Sequence, residues 1–261
     1  NNDIINILKE HKLSQQYDAI IARNVIAHTP DPVGMLRNIE KCLTNGGKAF
    51  IEYHDAYHIL TSFQYDSIYH EHYSYFNLSS FEMAAKMAGL YITDYIDSPI
   101  SGGASIIVLE KEIKKQSEST IEKKQKDLKS GVNSLDAWKE FSHKVVQHAN
   151  NFRLEVKKAK LNGPVYGYGS SARSNTLLSF CEINSDDLVA IVDNNPLKQG
   201  TYTPGTNIPI IGIDQMPKKN ITIVILAWNF AKEIQSSLRE QGLENINIIR
   251  PLPYNVTSEK L

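Results

Sequence analysis

A length of 261 residues is enough for two domains, each long enough to bury a core. Hydrophobic residues make up 41% and charged residues 22%, as in an ordinary globular protein, and no signal peptide opens the sequence. The net charge of −1 gives no global field that would attract nucleic acid or an anionic membrane, and no apolar run could cross a bilayer, so we expect a cytoplasmic protein without nucleic-acid or membrane partners.

The first 110 residues alternate between helical and extended patterns. Asp31 and Pro32 favour a helix start, and Asn45-Gly46-Gly47 is expected to end that helix. The apolar run ahead of it is typical of a strand buried on both faces. Because strand, helix and strand follow in this order, we predict a parallel α/β sheet. The predicted elements are helices over 4–12, from Asp31 to Leu43, and over 79–88 with Ser79 or Ser80 as N-cap, and strands over 17–22, 48–53, 91–95 and 105–110.

The remainder divides into a helical linker and a smaller domain. Residues 111–130 are rich in Lys, Glu, Gln and Ser, which favours a solvated linker or helix face, and 136–161 predict one long helix. We therefore assign 111–161 to a helical linker and 162–261 to a Rossmann-like domain. Its predicted elements are a strand that runs into Gly167-Tyr168-Gly169, helices over 174–180 and 230–241, and strands over 188–192, 221–226 and 246–249.

The densest group of potentially catalytic side chains is Tyr-His-Glu-His, from Tyr69 to His72. Histidine titrates near neutrality, and a neighbouring carboxylate can orient it and raise its basicity, so the pattern favours acid/base chemistry. The pairs His70 with His72 and His54 with His58 also suggest a metal, but neither has a third ligand at regular spacing, and we predict no metal site. The alternative is a polar, aromatic-rich loop that packs two domains together.

Two further groups follow predicted strands. Asn24 and His28 come after the first strand, at the edge where parallel α/β sheets bind ligands. Gly167-Tyr168-Gly169 precedes a predicted helix, whose free N–H groups favour a phosphate, and Arg173 could bind the same phosphate. Only two of the three glycines of a dinucleotide-binding fingerprint are present, so this motif alone is weak. Asp193 closes the next strand, where a ribose or base could lie. An ordinary strand-to-turn sequence is the common alternative for both.

Six motifs occur in order over residues 16–253. They are Asn24-Val25-x-x-His28-x-Pro30; Phe63-x-x-Asp66-x-Ile68-Tyr69-His70-Glu71-His72; Gly167-Tyr168-Gly169 through Asn175; Asp193-Asn194-x-Pro196-x-Lys198-Gln199-Gly200; Thr203-Pro204-Gly205; and Ala227-Trp228-Asn229. Together they resemble the sugar C-methyltransferase family, which includes the enzymes that branch antibiotic deoxysugars at C3.

The resemblance implies a fold and an activity. The fold would be α/β, with a partial class I (Rossmann-like) methyltransferase domain over 1–110 and a second, smaller Rossmann-like domain after the linker. The activity would be methyl transfer from S-adenosylmethionine to a ring carbon, C3 being the expected position, of a nucleoside-diphosphate 4-keto sugar through an enolate. The resemblance assigns the base to His72, with Glu71 beside it. For this chemistry a donor such as Tyr69 or His70 is expected to stabilise the enolate oxygen. Asn24, Val25 and His28 are expected to contact the cofactor, and Tyr168, Ser170, Arg173, Asn175, Asp193, Lys198, Trp228 and Asn229 the substrate.

The sequence also departs from the family. Members carry an N-terminal module that binds zinc through four cysteines, and a glycine-rich loop for the methionine portion of the cofactor; neither is present. Zinc is therefore expected only in such a module, and this part of the enzyme is expected to bind the cofactor weakly and to be inactive alone. Arg173 stands where the family often has Lys, and Ser101-Gly102-Gly103 stands where some members have His-Gly-Gly.

Two other functions are compatible with the sequence. One is an NAD-dependent sugar-nucleotide enzyme, because residues 165–211 also resemble the nucleotide-binding part of sugar dehydratases. Such an enzyme would need a third fingerprint glycine and a Tyr-x-x-x-Lys pair, and the sequence contains no such pair. The other is a non-catalytic module that binds a sugar nucleotide.

Overall fold

The structure is a computed structural model that describes residues 4–14 and 16–261. The chain forms two compact units. The first consists of the described residues up to Leu60 together with His70–Ala137, and the second of Thr61–Tyr69 together with Trp138–Leu261. The division at residue 137 falls inside the predicted linker 111–161, and the predicted catalytic stretch passes from one unit to the other after Tyr69.

The first unit alternates between helices and strands. Its elements are α1 (Ile4–Glu10), β1 (Tyr17–Arg23), α2 (Pro32–Cys42), β2 (Leu43–His54), α3 (Ala56–Thr61), α4 (Leu78–Met87), β3 (Tyr91–Ser98), β4 (Ala104–Glu110) and α5 (Glu118–Ser130). The strands form a sheet in the order β1-β2-β4-β3, in which β1 and β2 run parallel and β4 is antiparallel to both neighbours. The carboxyl ends of β1 and β2 therefore lie at the same edge as the amino end of β4.

The prediction that β1 is buried on both faces is wrong. Its side chains are exposed or half-buried, and that of Ile21 is 68% exposed. Among the described strands β1 pairs with β2 alone. An apolar groove of about 480 Å³ is lined by residues of α1, β1 and α2. Within the described residues, β1 is therefore an edge strand whose apolar face is uncovered.

The ends of α2 and α4 differ in part from the predictions. The Asp31 side chain accepts a hydrogen bond from an N–H in the first turn of α2, as expected of an N-cap, but the helix ends at Cys42 and Asn45-Gly46-Gly47 lies within β2. Asn77, and neither predicted serine, caps α4. Its side chain accepts from the Ser80 N–H, and the Ser80 hydroxyl accepts from the Asn77 N–H, so each satisfies an N–H that the helix leaves unpaired.

Part of the polar stretch 111–130 is buried, contrary to its interpretation as solvated. This stretch contains α5, which buries Thr120, Lys123 and Asp127. Apolar periodicity could not reveal the buried face, because the side chains on it are polar and bind one another or other parts of the first unit.

The second unit contains a six-stranded sheet. Its elements are α6 (Leu135–Leu161), β5 (Val165–Tyr168), α7 (Ala172–Phe180), β6 (Ala190–Val192), β7 (Ile210–Ile211), β8 (Thr222–Ile225), α8 (Ala231–Glu240), β9 (Asn247–Arg250) and β10 (Thr257–Lys260). The order is β10-β9-β8-β5-β6-β7, and all strands except β10 run parallel. This confirms the Rossmann-like prediction. Because the chain leaves β5 first on the β6 side and later returns on the β8 side, the topological switch point lies between β5 and β8.

A buried hydrogen-bonded chain crosses the second unit. Nε2 of His148 lies 2.8 Å from the Pro251 carbonyl oxygen, and Nδ1 lies 3.0 Å from the Tyr65 hydroxyl. Because a carbonyl can only accept, Nε2 carries a proton. With the imidazole neutral, Tyr65 donates to Nδ1, and the Tyr65 oxygen accepts from the Cys181 thiol at 3.3 Å. This arrangement requires a neutral imidazole, and burial lowers the pKa of His148 below its usual 6.5.

Acidification is therefore expected to destabilise the second unit through His148. Because its pKa is lower in the folded than in the unfolded chain, its contribution is complete above the unfolded pKa and is lost as the pH falls towards the folded value. The free energy of unfolding in urea should fall more between about pH 7.5 and about pH 5.5 in the wild type than in His148→Gln, whose carboxamide donates and accepts without titrating. Equal falls in both proteins would contradict this role.

Candidate active site

The imidazole of His72 lies beside two other rings in the first unit. Its centroid is 4.8 Å from that of His28, at an interplanar angle of 63°, and 5.7 Å from that of Tyr75, at 74°. The side chain is partly exposed, so the ring is not buried against apolar neighbours. A partly exposed imidazole can exchange a proton with a bound molecule near neutral pH.

Hydrogen bonds fix the backbone on both sides of His72. The Tyr73 N–H donates to the Ala27 carbonyl at 2.8 Å, and Nδ1 of His28 lies 3.0 Å from the Glu71 carbonyl oxygen. Because that oxygen only accepts, Nδ1 of His28 carries a hydrogen. The sequence assigned His28 to the cofactor and gave no sign of this contact, which joins residues 43 positions apart.

The other residues of the predicted catalytic stretch are accessible. His70 and Glu71 are exposed, and Tyr69 is partly exposed. The contact between Glu71 and His28 involves the backbone carbonyl oxygen of Glu71 and not its carboxylate. All three side chains are therefore at least partly exposed to solvent.

Asn24 and Val25 follow β1 at the carboxyl edge of the sheet. The Asn24 side chain donates to Glu52 Oε1 at 3.1 Å, and Arg23 Nε donates to Glu52 Oε2 at 2.8 Å. Glu52 is 2% exposed, so these donors satisfy a buried carboxylate. Val25 is 47% exposed and presents an apolar surface at this edge.

A buried ion cluster supports the same edge. Lys123 lies 2.8 Å from the Asp55 carboxylate and also binds Asp127. Asp55 accepts from the Ser105 hydroxyl, and its backbone forms an isolated bridge with Phe76, four residues after His72. Burial raises the pKa of Asp127, while the Lys123 ammonium acts against that rise. No sequence signal predicts this cluster, because Lys123 lies in a polar stretch.

In the second unit, a crevice of about 400 Å³ opens at the switch point. Its lining includes the side chains of Asn194, Phe230 and Glu233. Asp193 also lines it, and no lining residue is cationic. Gly169, at its base, has φ +91°, and a Cβ there would lie 2.6 Å from the Cβ of a neighbouring alanine, so this position requires glycine.

Asp193 closes the glycine turn after β5. Its Oδ2 accepts from the Ser170 N–H at 2.8 Å and lies 3.3 Å from Lys198 Nζ, which also donates to the Ser170 carbonyl. Ser171 caps α7 by accepting from the Ser174 N–H. In a dinucleotide-binding fingerprint, the N–H at the position of Ser170 donates to the pyrophosphate of the cofactor. Here that N–H donates to the Asp193 carboxylate, whose negative charge would also repel a pyrophosphate. The geometry argues against the NAD-dependent alternative.

Two of the residues predicted to bind substrate contact Asp66. Arg173 forms a two-pronged ion pair with it, Nε to Oδ2 at 2.9 Å and Nη2 to Oδ1 at 3.0 Å. Trp228 Nε1 donates to Oδ2 at 2.9 Å. Asp66 is 1% exposed and lies within the second of the six motifs, but no role was predicted for it.

Tyr168, Asn175 and Asn229 are the remaining predicted substrate residues. Tyr168 lines the crevice, and its hydroxyl donates to Asn194 Oδ1 at 3.2 Å. Oδ1 of Asn175 is buried and has no hydrogen-bond partner among the described residues. Such an atom calls for a donor, which a water or a bound molecule can supply. Asn229 is partly exposed directly after Trp228.

Within residues 4–14 and 16–261, no three His, Cys, Asp or Glu side chains lie together as a metal site would require. None of the described helices combines the length and the apolar character that crossing a membrane requires. Cys42 and Cys181 are both buried, and no disulfide joins them.

The chain is similar to known proteins along most of its length. A family model for the C-methyltransferase C-terminal domain matches residues 99–253, and one for a methyltransferase domain matches residues 2–95. C-methyltransferase NovU of Streptomyces niveus is 28% identical over 242 residues, which cover 90% of this chain and 57% of NovU. The chain therefore spans little more than half the length of this relative.

Proposed function

Because the chain belongs to the C-methyltransferase family by the match to its C-terminal domain, we propose that it forms part of an S-adenosylmethionine-dependent sugar C-methyltransferase. The proposed substrate is a nucleoside-diphosphate 4-keto sugar, methylated at C3. The partly exposed ring of His72, held beside His28, is the observation that carries this proposal.

His72 is proposed as the base. A C–H next to a ketone is acidic because the resulting enolate spreads its negative charge onto oxygen. An imidazole titrates in the range needed to take that proton at neutral pH. The bonds of His28 and Ala27 to the flanking backbone support the proposal, because a base contributes most when its position is fixed beforehand.

Tyr69 or His70 is proposed to stabilise the enolate oxygen. Both carry a hydrogen-bond donor, both are accessible, and both lie within three residues of His72. A donor already oriented towards developing charge stabilises the transition state without the cost of reorganising water. Glu71, whose carboxylate is exposed, is proposed to stabilise the imidazolium that forms once the proton has moved.

The described residues fit part of S-adenosylmethionine. This cofactor supplies a methyl group made electrophilic by the positive charge on its sulfur. Val25, half exposed at the carboxyl edge of β1, offers an apolar contact, and the Asn24 backbone lies at the same edge. No strand precedes β1 in the described chain, so a glycine-rich loop for the methionine portion is not among the described residues.

The switch-point crevice is proposed to hold the uncharged part of the nucleotide. Phe230 is 55% exposed and can stack on a base, while Asn194, Glu233 and Asp193 can bind base or ribose hydrogens. The lining contains the Glu233 carboxylate and no cationic residue, and the Asp193 carboxylate already faces Lys198, so the crevice offers phosphates no free positive charge. The diphosphate is therefore proposed to lie outside it.

The proposal can be tested on this chain without the methyl donor. In D₂O, the base should exchange the C3 hydrogen of thymidine-diphosphate-4-keto-6-deoxyglucose for deuterium, which proton NMR detects as the loss of one signal. Calorimetry with thymidine diphosphate gives the nucleotide affinity separately. Absence of both exchange and binding would overturn the proposal, whereas binding without exchange would leave only a sugar-nucleotide-binding module.

A further inference from the structure

We propose that Arg173 and Trp228 are positioning residues that act through Asp66 on the segment carrying Tyr69, and that they are not phosphate ligands. This inference rests on the proposed function, in which Tyr69 or His70 stabilises the enolate oxygen, and it takes Tyr69 for that role. All four residues belong to the second unit.

Three donors hold the Asp66 carboxylate in one orientation. The guanidinium reaches both of its oxygens, and the indole N–H reaches Oδ2 from another element. The Arg173 Cζ also lies 5.0 Å from the Trp228 ring centroid, so the two donors pack on each other. A two-pronged pair fixes the direction of a carboxylate as well as its distance.

Holding this side chain also holds a turn of backbone. Asp66 is the middle residue of a 3₁₀ turn, in which the Ser67 N–H donates to the Gln64 carbonyl and the Ile68 N–H to the Tyr65 carbonyl, both at 3.0 Å. Tyr65, which precedes Asp66, is held independently, because its hydroxyl is hydrogen-bonded to His148 of α6. Tyr69 follows only three residues later, at most about 10 Å of extended chain, so the turn limits where it can lie.

The same geometry disfavours a phosphate at Arg173. Its side chain is 19% exposed, and its Nε and Nη2 already face a carboxylate that is 1% exposed. A phosphate that displaced Asp66 would leave a buried charge without its cation, which is strongly unfavourable. The Arg173 guanidinium therefore neutralises Asp66 and is not positioned to neutralise a phosphate.

The test compares Arg173→Lys and Trp228→Phe with Arg153→Lys, a control in the same unit whose partner Glu182 is exposed. Lysine keeps the positive charge of Arg173 but cannot donate to both carboxylate oxygens as the guanidinium does. Phenylalanine keeps an aromatic ring at position 228 but lacks the indole N–H. Three quantities are measured: thymidine diphosphate affinity by calorimetry, hydrogen exchange of the Ser67 and Ile68 amides, and kcat and KM for deuterium exchange into the 4-keto sugar nucleotide.

We expect both variants to bind thymidine diphosphate within about twofold of the wild type. The two amides should exchange about tenfold faster or more, as the loss of a charge-assisted bond implies, and kcat should fall while KM stays constant. The control should change none of these quantities.

Two outcomes would overturn the positioning role while the proposed function stands. One is an affinity for thymidine diphosphate that drops about tenfold in Arg173→Lys with unchanged amide exchange, as expected if one charge-assisted bond to phosphate is lost. The other is faster amide exchange with an unchanged kcat, which would make the contact purely structural. If the wild type neither binds thymidine diphosphate nor exchanges the sugar hydrogen for deuterium, the proposed function itself is contradicted.

Discussion

Replacing His72 with alanine lowers the rate of carbon deprotonation by about two to four powers of ten, the usual contribution of a general base. The methyl side chain of alanine can neither take the proton nor stabilise the positive charge that follows. The rate is measured as deuterium exchange into the 4-keto sugar nucleotide and, in a protein that includes the cofactor-binding loop, as transfer of a labelled methyl group. Binding of thymidine diphosphate should stay close to that of the wild type, because the proposed nucleotide crevice is formed by other residues.

Two further variants serve as comparisons for His72→Ala. His143→Ala removes an exposed histidine of α6 and should leave both rates unchanged. His28→Ala removes the side chain that binds the Glu71 carbonyl and should lower the rate less than loss of His72, since a misplaced base still accepts a proton. Wild-type exchange in His72→Ala would remove this residue from the mechanism.

Lys123→Met is expected to reduce the free energy of unfolding of the first unit by about 3–5 kcal/mol, because it leaves buried carboxylates without their cation. Lys123 is 2% exposed, and its partners Asp55 and Asp127 are fully buried. The loss should be smaller at acidic pH, since burial already raises the pKa of Asp127 and a proton can then replace the missing cation. Native-state hydrogen exchange of the Ile107 amide in β4 measures the effect on this unit alone.

Lys126→Met is the matched control, because Lys126 lies on the same helix with its side chain exposed. Its effect should stay within about 0.5 kcal/mol, as for most surface substitutions. Similar losses in the two variants would mean that the buried cluster contributes nothing beyond an exposed lysine.

Regular elements were the most predictable part of the fold. The apolar spacing of α2 and the glycine turn after β5 gave the alternation of helix and strand, because both signals lie within a few residues. The capping of α4 by Asn77 was missed, since several adjacent polar residues were possible caps and only the observed bonds distinguish them. The antiparallel pairing of β4 was missed too, because strand direction depends on residues far apart in the chain.

The sequence by itself determined the family resemblance, the two α/β regions and the stretch that contains His72, because these depend on residue types at short spacing. Only the tertiary structure decided what the charged residues do. It paired Asp66 with Arg173, 107 positions away, and placed Lys123 between two buried carboxylates. Such pairings are set by how distant elements pack, and a charged side chain in a polar stretch looks the same in sequence whether it faces water or a buried partner.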